Sequence, residues 1–235
     1  MFVITNANYL DFLSKIGVSG AHPGGINLTK EILKHETIRS TSHILDIGCG
    51  TGQTAAYLAK QYGSTVFGID TNPLMVKKAK KRMTKNHLPV VILESSVENT
   101  PLPNQQFDLI LSESVLSFVD PSKALKEIYR LLKKGGRFIA NELTIPHSIP
   151  KQTKEELEQF YGFNAFFTKR DWVRYLEQAG YHTIRIQKNN LIYSEPEFHD
   201  PQSSEPELLE MMNQHYDLHM KYKDILDYRI YSCTK

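Results

Sequence analysis

The sequence predicts an α/β fold, a mostly parallel sheet with helices on both faces. Three observations predict it. Short apolar runs alternate with amphipathic stretches at regular intervals, the pattern of repeated strand–helix–strand units. A glycine-rich turn, Gly48-Cys49-Gly50-Thr51-Gly52, joins one such run to one such stretch, as strand-to-helix turns do at the carboxyl edge of an open sheet. The 235 residues are 40% hydrophobic and 23% charged, a globular composition with the length of one large domain or of a domain with an insertion.

The elements follow in order. Ahead of the first strand lies the turn His22-Pro23-Gly24-Gly25, and Ile26 to Glu31 then reads as a helix start. Ser42 to Ile47 is a buried strand, Gln53 to Tyr62 the helix after it, Thr65 to Ile69 the next strand, and Pro73 to Lys85 a basic helix. Pro89 to Leu93 and Phe107 to Leu111 are too short and too β-rich for buried helices. Lys123 to Lys133 carries an apolar helical face, with Gly135-Gly136 as its stop signal and Arg137 to Asn141 as the fifth strand. Ile145 to Pro150 breaks the pattern. Gln152 to Tyr161 and Lys169 to Gln178 are helices, Tyr181 to Gln187 alternates at period two as a strand, and Ser194 to Pro206 is a surface loop. Glu207 to Leu226 is helical, and Tyr228 to Cys233 is the last strand. The expected organisation is one domain over 1–235: an N-terminal helical cap (1–41), a core (42–145), a cap insertion (146–168), and a segment completing the sheet with a helical insertion (169–235).

Composition excludes several functions. A net charge of +2 is too even to draw the whole molecule to nucleic acid or an acidic membrane. Two cysteines far apart in sequence make neither a disulfide framework nor a metal cluster, which fits a reducing compartment. No run of about 18 apolar residues exists to span a membrane. The N-terminus lacks a basic region ahead of an apolar one, so the expected location is the cytoplasm. Monomer and homodimer both remain open.

The glycine turn reads as a ligand cradle, because glycine admits positive φ and lets a ligand approach the backbone. The spacing is wrong for a dinucleotide fingerprint, and no Gly-Lys-Ser/Thr follows for a phosphate loop. Asp70 ends the next strand, where a carboxylate can accept hydrogen bonds from two ribose hydroxyls. A nucleoside without a pyrophosphate is implied.

Ile44 to Gly52 (ILDIGCGTG), Gly68 to Asp70 with Asn72 to Met75, Thr100 to Leu109 (TPLPNQQFDL) and Leu131 to Gly136 (LLKKGG) resemble, in family order, the class I S-adenosylmethionine-dependent methyltransferases of small-molecule type. The resemblance implies a Rossmann-like fold with a seven-stranded sheet, a cofactor, S-adenosyl-L-methionine, and a small-molecule methyl acceptor. Gly48 and Gly50 would pass beneath the methionyl part, Asp46 would orient that end, Asp70 would hold the ribose, and Leu74 or Met75 would pack on the adenine. Ser96 stands where the family often has an Asp toward the adenine, which shifts weight to the Val97 backbone. Cys49, Thr71 and Ser112 complete the implied cofactor contacts, and His22 is expected over the cofactor carboxylate.

Methyl transfer requires alignment of nucleophile and methyl, exclusion of water and handling of one proton. The catalytic candidates are Glu113 and Glu142, at the carboxyl ends of the fourth and fifth strands. Either they form an acidic wall for a cationic acceptor, or they satisfy local backbone donors. No D/N-P-P-Y motif supports a nucleic-acid acceptor, and no cysteine at those strand ends supports covalent cytosine methylation. The alternatives are an RNA or protein methyltransferase, or a non-catalytic S-adenosylmethionine-binding protein. His215 and His219 have a zinc-compatible spacing but read as packing, so no metal is expected. Lys77, Lys78, Lys80, Lys81, Arg82 and Lys85 read as a solvated helix face. Phe160, Tyr161, Phe163, Phe166 and Phe167 read as core or as an apolar pocket wall.

Overall fold

β-Branched and aromatic runs form the strands β1 (His43–Ile47), β2 (Thr65–Asp70), β3 (Val91–Glu94), β4 (Phe107–Glu113), β5 (Leu132–Thr144), β6 (His182–Lys188) and β7 (Asp227–Thr234). They lie in one sheet of order β3-β2-β1-β4-β5-β7-β6, in which β7 alone runs antiparallel to its neighbours. The helices are α1 (Ala7–Ile16), α2 (Gly25–Leu33), α3 (Gln53–Tyr62), α4 (Pro73–Lys85), α5 (Pro121–Leu131), α6 (Lys151–Tyr161), α7 (Lys169–Gln178) and α8 (Pro206–Lys221). The computed structural model describes residues 7–17, 20, 22–188 and 206–235. The loop expected from Ser194 falls outside the described residues, which resume where Pro206 opens α8.

Local chemistry sets most helix starts. Asn72 accepts from the N–H groups of Leu74 and Met75 with Pro73 at the first helical position of α4, and Asp120 does the same for α5 ahead of Pro121. Thr168 and Asp171 form a capping box on α7. One expected boundary is corrected: α5 stops at Leu131, not Lys133. Leu132 is already extended (ψ 141°) and pairs with Phe107 across β4 and β5, so Gly135 (φ +75°) and Gly136 turn the chain inside the strand segment instead of capping the helix.

Three apolar clusters hold these layers. One face of the sheet packs Ile110, Phe138 and Tyr231 against Leu125 and Ile128 of α5 and Trp172 of α7. The other packs Ile44, Val66 and Leu111 against α2, α3 and α4. A third cluster, at the carboxyl edge, joins Phe12 and Ile16 of α1, Leu157 and Phe160 of α6, and Met211 of α8 with Leu143. That third cluster roofs the crevice between β1 and β4, where the strand order reverses.

Candidate functional site

A cavity of about 540 Å³ opens at the carboxyl ends of β1, β2 and β4 beneath α1, α6 and α8. Its floor is the glycine turn. Gly48 (φ +63°) has no room for a side chain, since a Cβ there would lie 2.3 Å from Val115 Cγ2. Gly50 (φ +51°) is the opposite case: a Cβ would meet nothing within 4 Å and would project into open space. The turn is held from two sides. The Gly50 N–H donates to Asp70 Oδ2 at 2.8 Å and the Asn72 N–H to Asp70 Oδ1 at 2.9 Å, while Arg82 Nε donates to the Thr51 carbonyl at 2.8 Å.

Four carboxylates line this space: Asp11 on the exposed face of α1, and Asp46, Asp70 and Glu113 at the floor. Asp46 is buried, with one oxygen on the Ala55 N–H and Oδ2 without any hydrogen-bond partner. Burial, and then the negative charge of Glu113, push its pKa well above the usual carboxylate range. Burial also raises Asp70, against the lowering effect of the backbone N–H groups it accepts. Glu113 accepts from Thr29 Oγ1 at 2.7 Å and Thr54 Oγ1 at 3.0 Å, and its Oε2 lies 3.5 Å from His22 Nε2. His22 Nδ1 is buried without a partner, and Asn141 Nδ2 donates to the Pro23 carbonyl at 3.0 Å, fixing the turn that carries the imidazole. Unmet buried polar atoms beside clustered negative charge make a place suited to a cationic, hydrogen-bonding ligand.

His22, Asp46, Gly48, Cys49, Gly50, Asp70, Thr71, Met75, Val97 and Glu113 all line this one cavity. Three candidates do not. The β4–β5 register sets Glu113 beside Asn141, so Glu142 falls on the opposite face and the two glutamates form no common wall. Glu142 is fully buried and accepts from Ser112 Oγ at 3.0 Å, the Val115 N–H at 3.1 Å and the Leu116 N–H at 3.2 Å. Burial nevertheless pushes its pKa up to about 7. Ser112 is turned inward by that same bond, away from the cofactor contact expected of it. Ser96 Oγ accepts the Glu98 N–H at 3.1 Å and tightens a turn, while Ser95 takes the place on the cavity wall.

The sequence reads Tyr161 and Phe163 as core or pocket wall and His215 as packing, and misses the Tyr9 that joins them into the far wall. Tyr9 of α1 meets Tyr161 at the end of α6 edge-on at 4.9 Å and stacks on His215 of α8 at 5.7 Å. Tyr161 stacks on Phe163 at 5.0 Å and its hydroxyl bonds His215 Nδ1 at 3.1 Å. Burial, with His219 adjacent, pushes the His215 pKa down to about 4. His215 and His219 stack at 6.2 Å as part of this wall, and no group of three or more metal-ligating side chains is found among the described residues. Tyr9 and the two threonines on Glu113 carry no sequence signal, because each gains its role from a partner distant in the chain.

Residues 45–140 match the family described as a methyltransferase domain. The uncharacterized methyltransferase YodH of Bacillus subtilis (strain 168) is 34% identical over 236 residues, covering 97% of this chain and 100% of that protein. The ubiquinone/menaquinone biosynthesis C-methyltransferase UbiE of Pseudoalteromonas translucida is 30% identical over 141 residues, 57% of this chain and 55% of its own length. Among solved structures, Haemonchus contortus phosphoethanolamine N-methyltransferase 2 in complex with S-adenosyl-L-methionine aligns with a TM-score of 0.80 at 17% identity. The alignment covers 98% of this chain and 57% of that one, so this chain spans little more than half of that protein. That likeness is one of fold.

Proposed function

The chain belongs to the class I S-adenosylmethionine-dependent methyltransferases, and from that premise we propose that it methylates a small-molecule acceptor held beneath its helical cap. When bound, S-adenosylmethionine supplies an electrophilic methyl on a cationic sulfur. The residues present suit it: Asp46 Oδ2 lacks a partner, the space over Gly50 is open, and Asp46, Asp70 and Glu113 concentrate negative charge at the floor. In this reading Asp70 receives the ribose hydroxyls, Asp46 and His22 take the methionyl end, and Met75 and Val97 border the adenine. Glu113, on the cavity wall, is positioned by Thr29, Thr54 and His22 to orient polar atoms near the reacting methyl. Glu142 acts at one remove, as a positioning residue that holds the turn after β4.

One observation carries the acceptor class. Rings from α1, from the end of α6 and from α8, far apart in sequence, pack on one another over the cavity. A roof of this kind excludes water and suits a compact acceptor better than a polymer that must lie across an open groove. The setting read from the sequence is cytoplasmic, with Cys49 and Cys233 unpaired.

The test is transfer of a tritiated methyl from S-adenosylmethionine into a cell extract. Label in the dialysable fraction is the expected result. Label precipitating with RNA or protein overturns the small-molecule reading, and donor binding without transfer to any fraction favours a non-catalytic binding protein.

A further inference from the structure

We propose that the acceptor is an uncharged hydroxyaromatic compound without a phosphate group, its ring against Tyr9, Tyr161 and Phe163 and its hydroxyl on His215. The inference rests on the small-molecule reading above and deepens it.

The first ground is charge. Every lysine and arginine of the chain lies among the described residues, and none of them lines the cavity. Phosphate recognition draws on bidentate guanidinium or ammonium groups, so this wall lacks the usual receptor for a phosphorylated acceptor. The two imidazoles of the aromatic wall supply no substitute, since burial lowers the pKa of both His215 and His219 and keeps them neutral near pH 7, and His22 lies at the floor 3.5 Å from the Glu113 carboxylate, which would repel a phosphate brought to it. The negative charge of Glu113, strong enough to raise the pKa of Asp46, adds repulsion toward any anion at the floor.

The second ground is shape. Tyr9, Tyr161 and His215 pack on one another at 4.9–5.7 Å, centroid to centroid, Phe163 adds to them through Tyr161 at 5.0 Å, and together they make an apolar wall that a flat ring matches by offset or edge contact.

The third ground is the polar group within that wall. His215 Nδ1 shares a hydrogen with the Tyr161 hydroxyl at 3.1 Å. The tautomer can exchange between them, which makes the other ring nitrogen a donor or an acceptor. A hydroxyl complements both states. An ammonium complements only the acceptor state, and the carboxylates it would seek lie at the glycine turn or, for Asp11, at the exposed edge of the cavity on α1, away from His215 Nδ1 and Tyr161.

Calorimetry on the whole chain saturated with S-adenosylhomocysteine tests this with three probes of one ring system: 1-naphthol, 1-naphthyl phosphate and 1-naphthylmethylammonium. The expected order places 1-naphthol tightest, with each charged probe weaker by roughly tenfold or more. His215→Phe keeps a ring but removes the nitrogens, and is expected to weaken 1-naphthol by roughly tenfold while S-adenosylhomocysteine binds as before. Either charged probe binding as tightly as 1-naphthol overturns the inference. So does unchanged 1-naphthol affinity in His215→Phe. Failure of all three probes with S-adenosylhomocysteine still bound overturns the acceptor class alone, whereas failure of S-adenosylhomocysteine itself removes the function it rests on.

Discussion

Both carboxylate oxygens of Glu142 lie 3.2 Å from the Leu116 backbone nitrogen, thereby pinning the turn that follows β4 from a strand one register further across the sheet. The carboxyl, ordinarily near 4.5, is raised to about 7 by burial. The folded state therefore favours its protonated form, so its contribution is complete below about pH 4.5 and is lost as pH rises through about 7. Urea unfolding at pH 5 and pH 8 should show the native chain losing on the order of 2 kcal/mol more than Glu142→Gln over that interval. Equal losses would show that Glu142 is ionised in both states.

The glycines of the turn divide into two roles that alanine separates. Gly48→Ala places a methyl 2.3 Å from Val115 Cγ2 at a positive φ, and should cost several kcal/mol or prevent folding. Gly50→Ala should fold with a loss of only about 1–2 kcal/mol, from the left-handed backbone alone. Its methyl nonetheless enters the cavity, so cofactor affinity by calorimetry should fall by roughly tenfold or more. Native affinity in a folded Gly50→Ala protein would place the cofactor elsewhere.

Asp70 joins the glycine turn to α4 by accepting from Gly50 and Asn72. In Asp70→Asn one of those two N–H groups faces an amide NH₂ in place of an acceptor. With the carboxylate also lost to the ribose, binding of S-adenosylmethionine should weaken roughly 10- to 100-fold at pH 7.5, as expected for charge-assisted hydrogen bonds. Unchanged affinity would exclude Asp70 from the nucleoside site.

Lys78 closes the cap. Its ammonium donates to the carbonyls of Ser14 at 2.8 Å and Lys15 at 2.9 Å, in the last turn of α1 where the helix dipole favours a cation. Lys78→Met retains the stem and removes both bonds. Hydrogen exchange of the α1 amides should accelerate roughly tenfold while β1 and β4 stay protected. No change in α1 would mean that the aromatic contacts alone secure it.

The legible features were those whose causes lie within a few residues. α3, α4 and α7 occupy the ranges read from apolar spacing, Asn72-Pro73 and Thr168 mark helix starts by their own side chains, and the glycine turn announces a close approach of ligand to backbone. The fold class and the cavity floor of Gly48, Gly50 and Asp70 follow from such local chemistry, whereas the methyl donor came from the family resemblance.

Glu142 was misplaced because strand alternation has period two, and only the pairing of Glu113 with Asn141 says which residue of β5 shares its face. Helix α5 ended early because Leu132 found a strand partner in Phe107. Local sequence therefore determined the α/β scaffold and the glycine turn that floors the cavity. The tertiary structure alone decided which glutamate reaches the cavity and which rings roof it, because register and the meeting of Tyr9, Tyr161 and His215 depend on contacts between segments far apart in the chain.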